Sequence, residues 1–385
     1  MLKLRNISLS LLFAINVAHS QSKEHGITFD CDAVQLEIIN RNIDDYFKSI
    51  GVKPNQYIKK KDGRLLNLSI SSSNPGTSTL YIKFNPEYEI SNEIIKIPTL
   101  HGTKEIEVSS KKEILISLLY PGRNTVFSKD ACHLSALDDH INIRQMIVAW
   151  SEELDWEFPE GEPSRWNEAY WNDGTPLKEV SLVDAVNDVF LQQNKYSMGC
   201  YAATKLVMIQ ATLDYFHRIK QDKKTLNLII NRLMVDGEPL LGIEPGEMWF
   251  FEEDITEQEL RRPGKIIRLI QDIAPENFVP GDWSYFLNPD KDTNKKLGYE
   301  GSNAIYLGRA LFDDFYNDNN HHYLYNEKLR EVYQWRNKVF SRSRDYANIT
   351  PISPDELHQL SSPPPNGLIL KYRAIPYYYG YEKLP

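Results

Sequence analysis

Apolar residues recur at helical spacing from Val34 through Leu36, Ile39, Ile43 and Tyr46 to Phe47, and Gly51 and Pro54 follow as stop signals, so this pattern predicts a helix over 26–50. Beyond Leu65 the period shortens. The runs "LLNLSISSS", "TLYIKFNP", "IIKIPTL", "KEIEVSS" and "EILISLLY" are short, and turn residues such as Asn74-Pro75-Gly76 and His101-Gly102 separate them. They predict five strands in an antiparallel sheet or small sandwich, with a boundary at "YPGRN", 120–124.

The pattern then turns helical again. Ile141 to Leu154 reads as a helix, and a tryptophan-rich stretch with Trp156, Trp166 and Trp171 leads to an Asp173-Gly174 turn. Ser181 stands as the N-cap of "SLVDAVNDVFLQQ", whose Val183, Val186 and Phe190 share a face. A further helix begins near Cys200 and lines up Leu206, Ile209, Leu213 and Phe216. "GDWSYFLNP" and "SNAIYLG" are strand-like, a helix follows near Glu327–Phe340, and "SSPPPNG" has linker composition. The expected organisation is α+β: a β-rich N-terminal domain over 21–130, a second domain over 131–345 and a Pro-rich tail over 346–385.

Composition narrows the function. Of 385 residues, 41% are apolar and 25% charged, a globular balance. The net charge of -9 argues against a dedicated nucleic-acid binder and against electrostatic docking on anionic lipid. At the start, Lys3 and Arg5, a short apolar run Ile7–Val17 and the small-residue site Ala18-His19-Ser20 have the order of a secretory signal, so 1–20 is expected to be removed and the chain exported to a secreted or periplasmic location. No later run is long and apolar enough for stable membrane insertion. In an oxidising compartment thiols pair, and three cysteines leave one over. A Cys31–Cys132 pair is the simplest assignment consistent with a reactive Cys200.

A lone cysteine on an apolar helix is commonly a small core residue. Here Gly199 leaves room for a substrate, and the thiol falls in a first helical turn, where the dipole favours a thiolate and N–H groups can receive an oxyanion. A nucleophile needs a base. His217 lies 17 residues along the same helix, about 25 Å away at 1.5 Å per residue, too far to serve. His321 and His322 follow two strand-like runs and are the candidates, against the alternative of a solvated loop. Glu300 is a candidate to orient the imidazole or take a proton, or else an exposed turn carboxylate. Asn303 is a candidate to orient the imidazole or donate to an oxyanion. Trp171 and Trp283 are candidates to cover the intermediate, with core packing as the alternative. The chain shows no P-loop, dinucleotide fingerprint or metal-type Cys/His spacing.

Three segments, in order, resemble the bacterial spore-coat transglutaminases: "VDAVNDVFLQQNKYSMGCYAATKLVMIQATLDYF" their nucleophile region, "VPGDWSYFLNP" their "GDCxYFKNP" strand and "YEGSNAIYLG" their "GENVxxLG" strand. The resemblance spans about 140–340. It implies a papain-like or NlpC/P60-like catalytic domain that transfers the γ-carboxamide acyl group of protein glutamine to lysine or another amine, without calcium or other cofactor or metal. The partners implied are proteins with accessible glutamine and lysine. The nucleophile carries over to Cys200. The family's glutamate falls on Ser302, with Glu300 two residues earlier, and the family's acidic residue before the cysteine is Gly199 here. The nearest candidates for the family histidine are His321 and His322. A related cysteine hydrolase (a deamidase or cell-wall peptidase) and an inactive binding homologue are the alternatives.

Overall fold

The computed structural model describes residues 26–71, 78–121, 124–160, 162–234, 267–271, 277–288, 290–317, 321–342, 351–360 and 372–376. The expected secretory signal over 1–20 and the "SSPPPNG" segment lie outside them. Strand β1 (Gly26–Asp30) carries Ile27, Thr28 and Phe29, all buried. It lies between β3 (Leu65–Ile70), antiparallel, and β6 (Asn124–Ser128), parallel, while β2 (Tyr57–Asp62) completes the order β2-β3-β1-β6. The segment expected to be wholly helical therefore opens with a strand. A strand covered on both faces loses the alternation that would reveal it. Helix α1 (Ala33–Ser49) starts where Asp32 accepts the Val34 and Gln35 N–H groups, and buries Leu36, Ile39, Ile43 and Phe47.

Two of the five expected strands are helical. "TLYIKFNP" forms a 3-10 turn, Thr79–Phe84, capped by Ser78. "EILISLLY" falls in α2 (Lys111–Leu119), capped by the Ser110 hydroxyl on the Glu113 N–H. Every residue from Lys112 to Leu119 is buried, so this helix shows no polar face to set a 3.6-residue period. The hairpin of β4 (Asn92–Thr99) and β5 (Gly102–Ser109) forms where two strands were expected.

The centre of the molecule is a pair of helices, α3 (Leu134–Ser151) and α5 (Cys200–Asp214), each buried along most of its length. Helix α4 (Leu182–Leu191), capped by Ser181, packs on α5; α6 (Lys223–Met234) follows a π-helical turn, Tyr215–Ile219. A short hairpin pairs β7 (Trp171–Asn172) with β8 (Thr175–Pro176). The second sheet contains β9 (Ile267–Gln271), β10 (Trp283–Leu287), β11 (Gly301–Gly308), β12 (Leu311–Asp313), β13 (His322–Leu324) and β14 (Tyr372–Pro376), in the order β13-β12-β11-β10-β14-β9. Helix α7 (Tyr325–Arg336) packs on β10 and β13. The region expected as a linker tail thus supplies β14 and helix α8 (Pro354–Leu360), whose Glu356 accepts the Tyr333 hydroxyl.

The buried side chains form one continuous cluster from Ile27 to Leu360, so the core does not divide at the boundary drawn at 130. A Cys31–Cys132 disulfide also crosses it. Within the core, Arg144 of α3 donates to Asp282 Oδ1 at 2.8 Å and to the Pro280 carbonyl at 3.1 Å, both charges being fully buried. Asp282 Oδ2 accepts the Val279 N–H, and at Gly281, where φ is +85°, a Cβ would lie 3.1 Å from the Arg144 backbone. This knot fixes where β10 begins.

Candidate active site

Cys200 is the first residue of α5 and, with Cys31 and Cys132 joined, the only free thiol. Its N-cap is Gly199, which contributes no side chain to the helix end, and a Cβ built there would meet nothing within 4 Å. Gly199 therefore adds no bulk beside the thiol-bearing residue. On the other side stands β11. The Asn303 backbone N–H and side-chain Nδ2 both donate to Cys200 Sγ, at 3.4 and 3.3 Å. Two N–H groups converging on a sulfur are complementary to negative charge on it.

Asn303 is itself held. Its Oδ1 accepts the indole Nε1–H of Trp283 at 2.8 Å, which turns Nδ2 toward the sulfur. Trp283 reaches it diagonally across the β10–β11 ladder, where Asn303 pairs with Tyr285, and packs 5.1 Å from the Tyr201 ring. The Gly301 end of β11 approaches β10 so closely that a Cβ would lie 2.4 Å from the Tyr285 hydroxyl, so a side chain there would push the two strands apart.

Cys200 opens on a cavity lined by Ser302, Asn303, Asp313, Asp314, Lys328 and Glu331, among others. Its walls mix buried charged side chains with the rings of Phe158, Phe315 and Trp335. Lys328 bonds Glu331 at 2.9 Å, both nearly inaccessible, and its ammonium lies 4.4 Å from the Tyr323 ring centroid. Asp313 is 1% exposed and its Oδ1 accepts the Ile305 N–H at 2.7 Å. Burial pushes its carboxyl well above the usual carboxylate range, against the opposing pull of that N–H. Asp313 is a buried carboxyl at the cavity that the sequence reading did not single out. The signal for it was the pair of carboxylates inside the apolar run "LFDDF".

The expected acid and base stand elsewhere. Glu300 does not line the cavity; its carboxylate turns back to accept the Gly298 N–H at 3.1 Å. Neither His321 nor His322 lines it either. Strand β13 lies two strands from β11, about 9.5 Å across the sheet. Both imidazoles face Glu152 at the end of α3: His322 Nε2 lies 2.5 Å and His321 Nε2 3.9 Å from its Oε2. Burial, with the neighbouring His322, holds the His321 ring below the ordinary imidazole range. Trp171 is a core residue, its indole N–H on the Ala185 carbonyl and its ring against Trp166. Asn303 does meet the sulfur, Trp283 reaches it only through Asn303 and does not line the cavity, and Ser302 does line it.

A thiol at a helix N-terminus, packed against a strand that points an amide at it, is an arrangement suited to acyl transfer. The family model for protein-glutamine gamma-glutamyltransferase matches residues 104–316, more than half of the chain. The chain belongs to that family. The transglutaminase match takes in Cys200, Asn303 and Asp313 and ends before His321 and His322. It begins inside β5, so part of the region expected to precede the catalytic domain falls within it. Among solved structures the chain is similar to a transglutaminase from Geobacillus stearothermophilus (without C-terminal extension), at 20% identity and a TM-score of 0.40, over 65% of this chain and 98% of that one. No curated protein matches. Among the described residues no helix is long and apolar enough to cross a membrane.

Proposed function

We propose that this transglutaminase transfers the γ-acyl group of a protein glutamine to an amine through a thioester on Cys200, with Asp313 moving the proton. The observation that carries the reading is the pair of Asn303 N–H donors on the one free thiol, which lines the cavity with Asp313. The Cys200 thiolate attacks the glutamine carboxamide carbon. Collapse of the adduct expels ammonia, which takes its proton from the Asp313 carboxyl. An incoming amine then attacks the thioester, gives a proton to the Asp313 carboxylate and releases the isopeptide and the thiolate. Two half-reactions return both groups to their starting states. The cavity sets the polar Asp314, Lys328 and Glu331 beside the rings of Phe158, Phe315 and Trp335, a mixed lining suited to a carboxamide on an aliphatic stem.

A nucleophile at the head of a central helix, facing an antiparallel sheet, supports a papain-like reading of the catalytic layout. Export remains part of the proposal and rests on residues 1–20.

The test is intact-mass analysis of a glutamine donor peptide and a labelled amine, incubated with the protein and with Cys200→Ala. Amine adducts formed by the wild type and lost in the variant are the expected result. Conversion of glutamine to glutamate in the presence of excess amine would show a hydrolase instead. A donor left unchanged, with no mass gain on Cys200, would overturn the catalytic reading and leave a binding homologue.

A further inference from the structure

Away from the cavity, Glu152, His321 and His322 bring three potential ligand atoms within 4.8 Å of one another. Adjacent residues at the start of a strand usually point apart, yet these two imidazole rings lie 4.5 Å apart and converge on one carboxylate oxygen. Hydrogen bonding alone accounts for only half of this. His322 Nε2 occupies Glu152 Oε2, while His321 Nε2 is buried without a hydrogen-bond partner among the described residues. A second imidazole nitrogen brought to an oxygen already engaged, and left idle there, is what a missing cation would explain.

The surroundings select how such a cation would be held. Arg309 Nη2 takes Glu152 Oε1, which leaves Oε2 facing the two rings. Arg309 is anchored in turn, its own backbone N–H donating to Glu113 Oε1 at 2.7 Å. An outer contact that fixes one oxygen of a ligand carboxylate is common at metal sites. Two imidazole nitrogens and one carboxylate oxygen suit zinc and its neighbours better than calcium or magnesium, which prefer oxygen throughout. In a tetrahedral site with bonds of about 2.0–2.1 Å, donor atoms sit roughly 3.3 Å apart, so modest side-chain shifts would close the present cluster onto an ion. Both histidine side chains remain about one-third exposed, at 32% and 34%, which leaves an entry path and a fourth position for water.

We infer that Glu152, His321 and His322 form a binding site for a divalent transition metal ion of the zinc class. The ion fastens the β12–β13 hairpin to the end of α3. That hairpin carries Asp313 and Asp314, and the Asp314 N–H donates to the His321 carbonyl at 2.8 Å.

The experiment uses the full chain without a polyhistidine tag, stripped with chelator and then dialysed against micromolar zinc, with bound metal measured by elemental mass spectrometry. One equivalent is expected for the wild type and for Cys200→Ala, which removes the only free thiol. Affinity should fall at least about tenfold in Glu152→Gln and in the His321→Ala/His322→Ala double variant. Cobalt added to the wild type should give the visible absorption of a four-coordinate ion, a readout that needs no variant to fold. Calcium and magnesium in excess should not displace it. Zinc bound equally by the wild type and a folded double variant, or no zinc and no cobalt spectrum in the wild type, would overturn the assignment.

Discussion

Replacing Asn303 by alanine deletes the Nδ2 donor to Cys200 Sγ while the backbone donor at 3.4 Å remains. A hydrogen bond to a charged group contributes about 1.5–3 kcal/mol. If Sγ is anionic when it attacks and when it leaves, kcat/KM for amine incorporation falls roughly 10- to 150-fold. The same change strands the buried Trp283 indole N–H, whose acceptor at 2.8 Å disappears, and destabilises the fold by about 1–3 kcal/mol. Trp283→Phe separates these effects. It leaves Nδ2 in place but frees the amide to turn, so it should weaken activity less than Asn303→Ala does. Because Trp283 acts through Asn303, the double variant should be no slower than Asn303→Ala alone. The assay is the initial rate of labelled-amine incorporation into a glutamine peptide, with thermal midpoints measured on the same samples. A kcat/KM for Asn303→Ala within twofold of wild type, on folded protein, would refute the role given to the Asn303 amide.

Asp313→Asn should reduce amine incorporation by about 10²–10⁴-fold, the range for a lost general acid–base group, while thermal denaturation shows an intact fold. The same variant tests the pH linkage: a carboxyl raised by burial adds stability that is fully present below its unfolded pKa and is lost as pH rises toward its folded one, so chemical denaturation should show this decline in the wild type and a flatter profile in the variant. Asp282→Asn leaves the fully buried Arg144 without its counter-charge and should cost about 3–5 kcal/mol in urea unfolding. Glu300→Gln, outside the cavity, should leave kcat/KM within about twofold. Removing the Cys31–Cys132 bridge, which closes a loop with a sequence separation of 101, should destabilise by up to about 4.7 kcal/mol, read by denaturation of the double alanine variant.

What the sequence made legible was local. Ser181 before an amphipathic run announced the start of α4, and a lone cysteine after a glycine announced the head of α5, because caps and helix starts are written in adjacent residues. The strand of Asn303 was legible from its short apolar run, Ala304–Leu307, between glycines. Helix α2 was not, since burial on every side erases the helical period. Asp313 was not, because its place at the cavity depends on how β12 folds back on β11, where it accepts the N–H of Ile305. The two histidines were visible as chemistry but not as direction. They turn to Glu152, a residue 170 positions earlier than His322, and only the packing of α3 against the sheet brings that carboxylate there.

The position of β14 sets an order of events. It lies between β10 and β9, pairing Trp283 with Ala374 and Ile270 with Arg373, although it follows β10 by more than eighty residues. A ribosome must therefore translate through Pro376 before β10, the strand that orients Asn303 at the thiol, gains its second neighbour. Until then a nascent chain holds its nucleophile beside an unfinished sheet edge, open to pairing with other chains. Acquisition of reactivity during biosynthesis would be late and abrupt, and shortening the chain before residue 372 should produce aggregation rather than a smaller working enzyme.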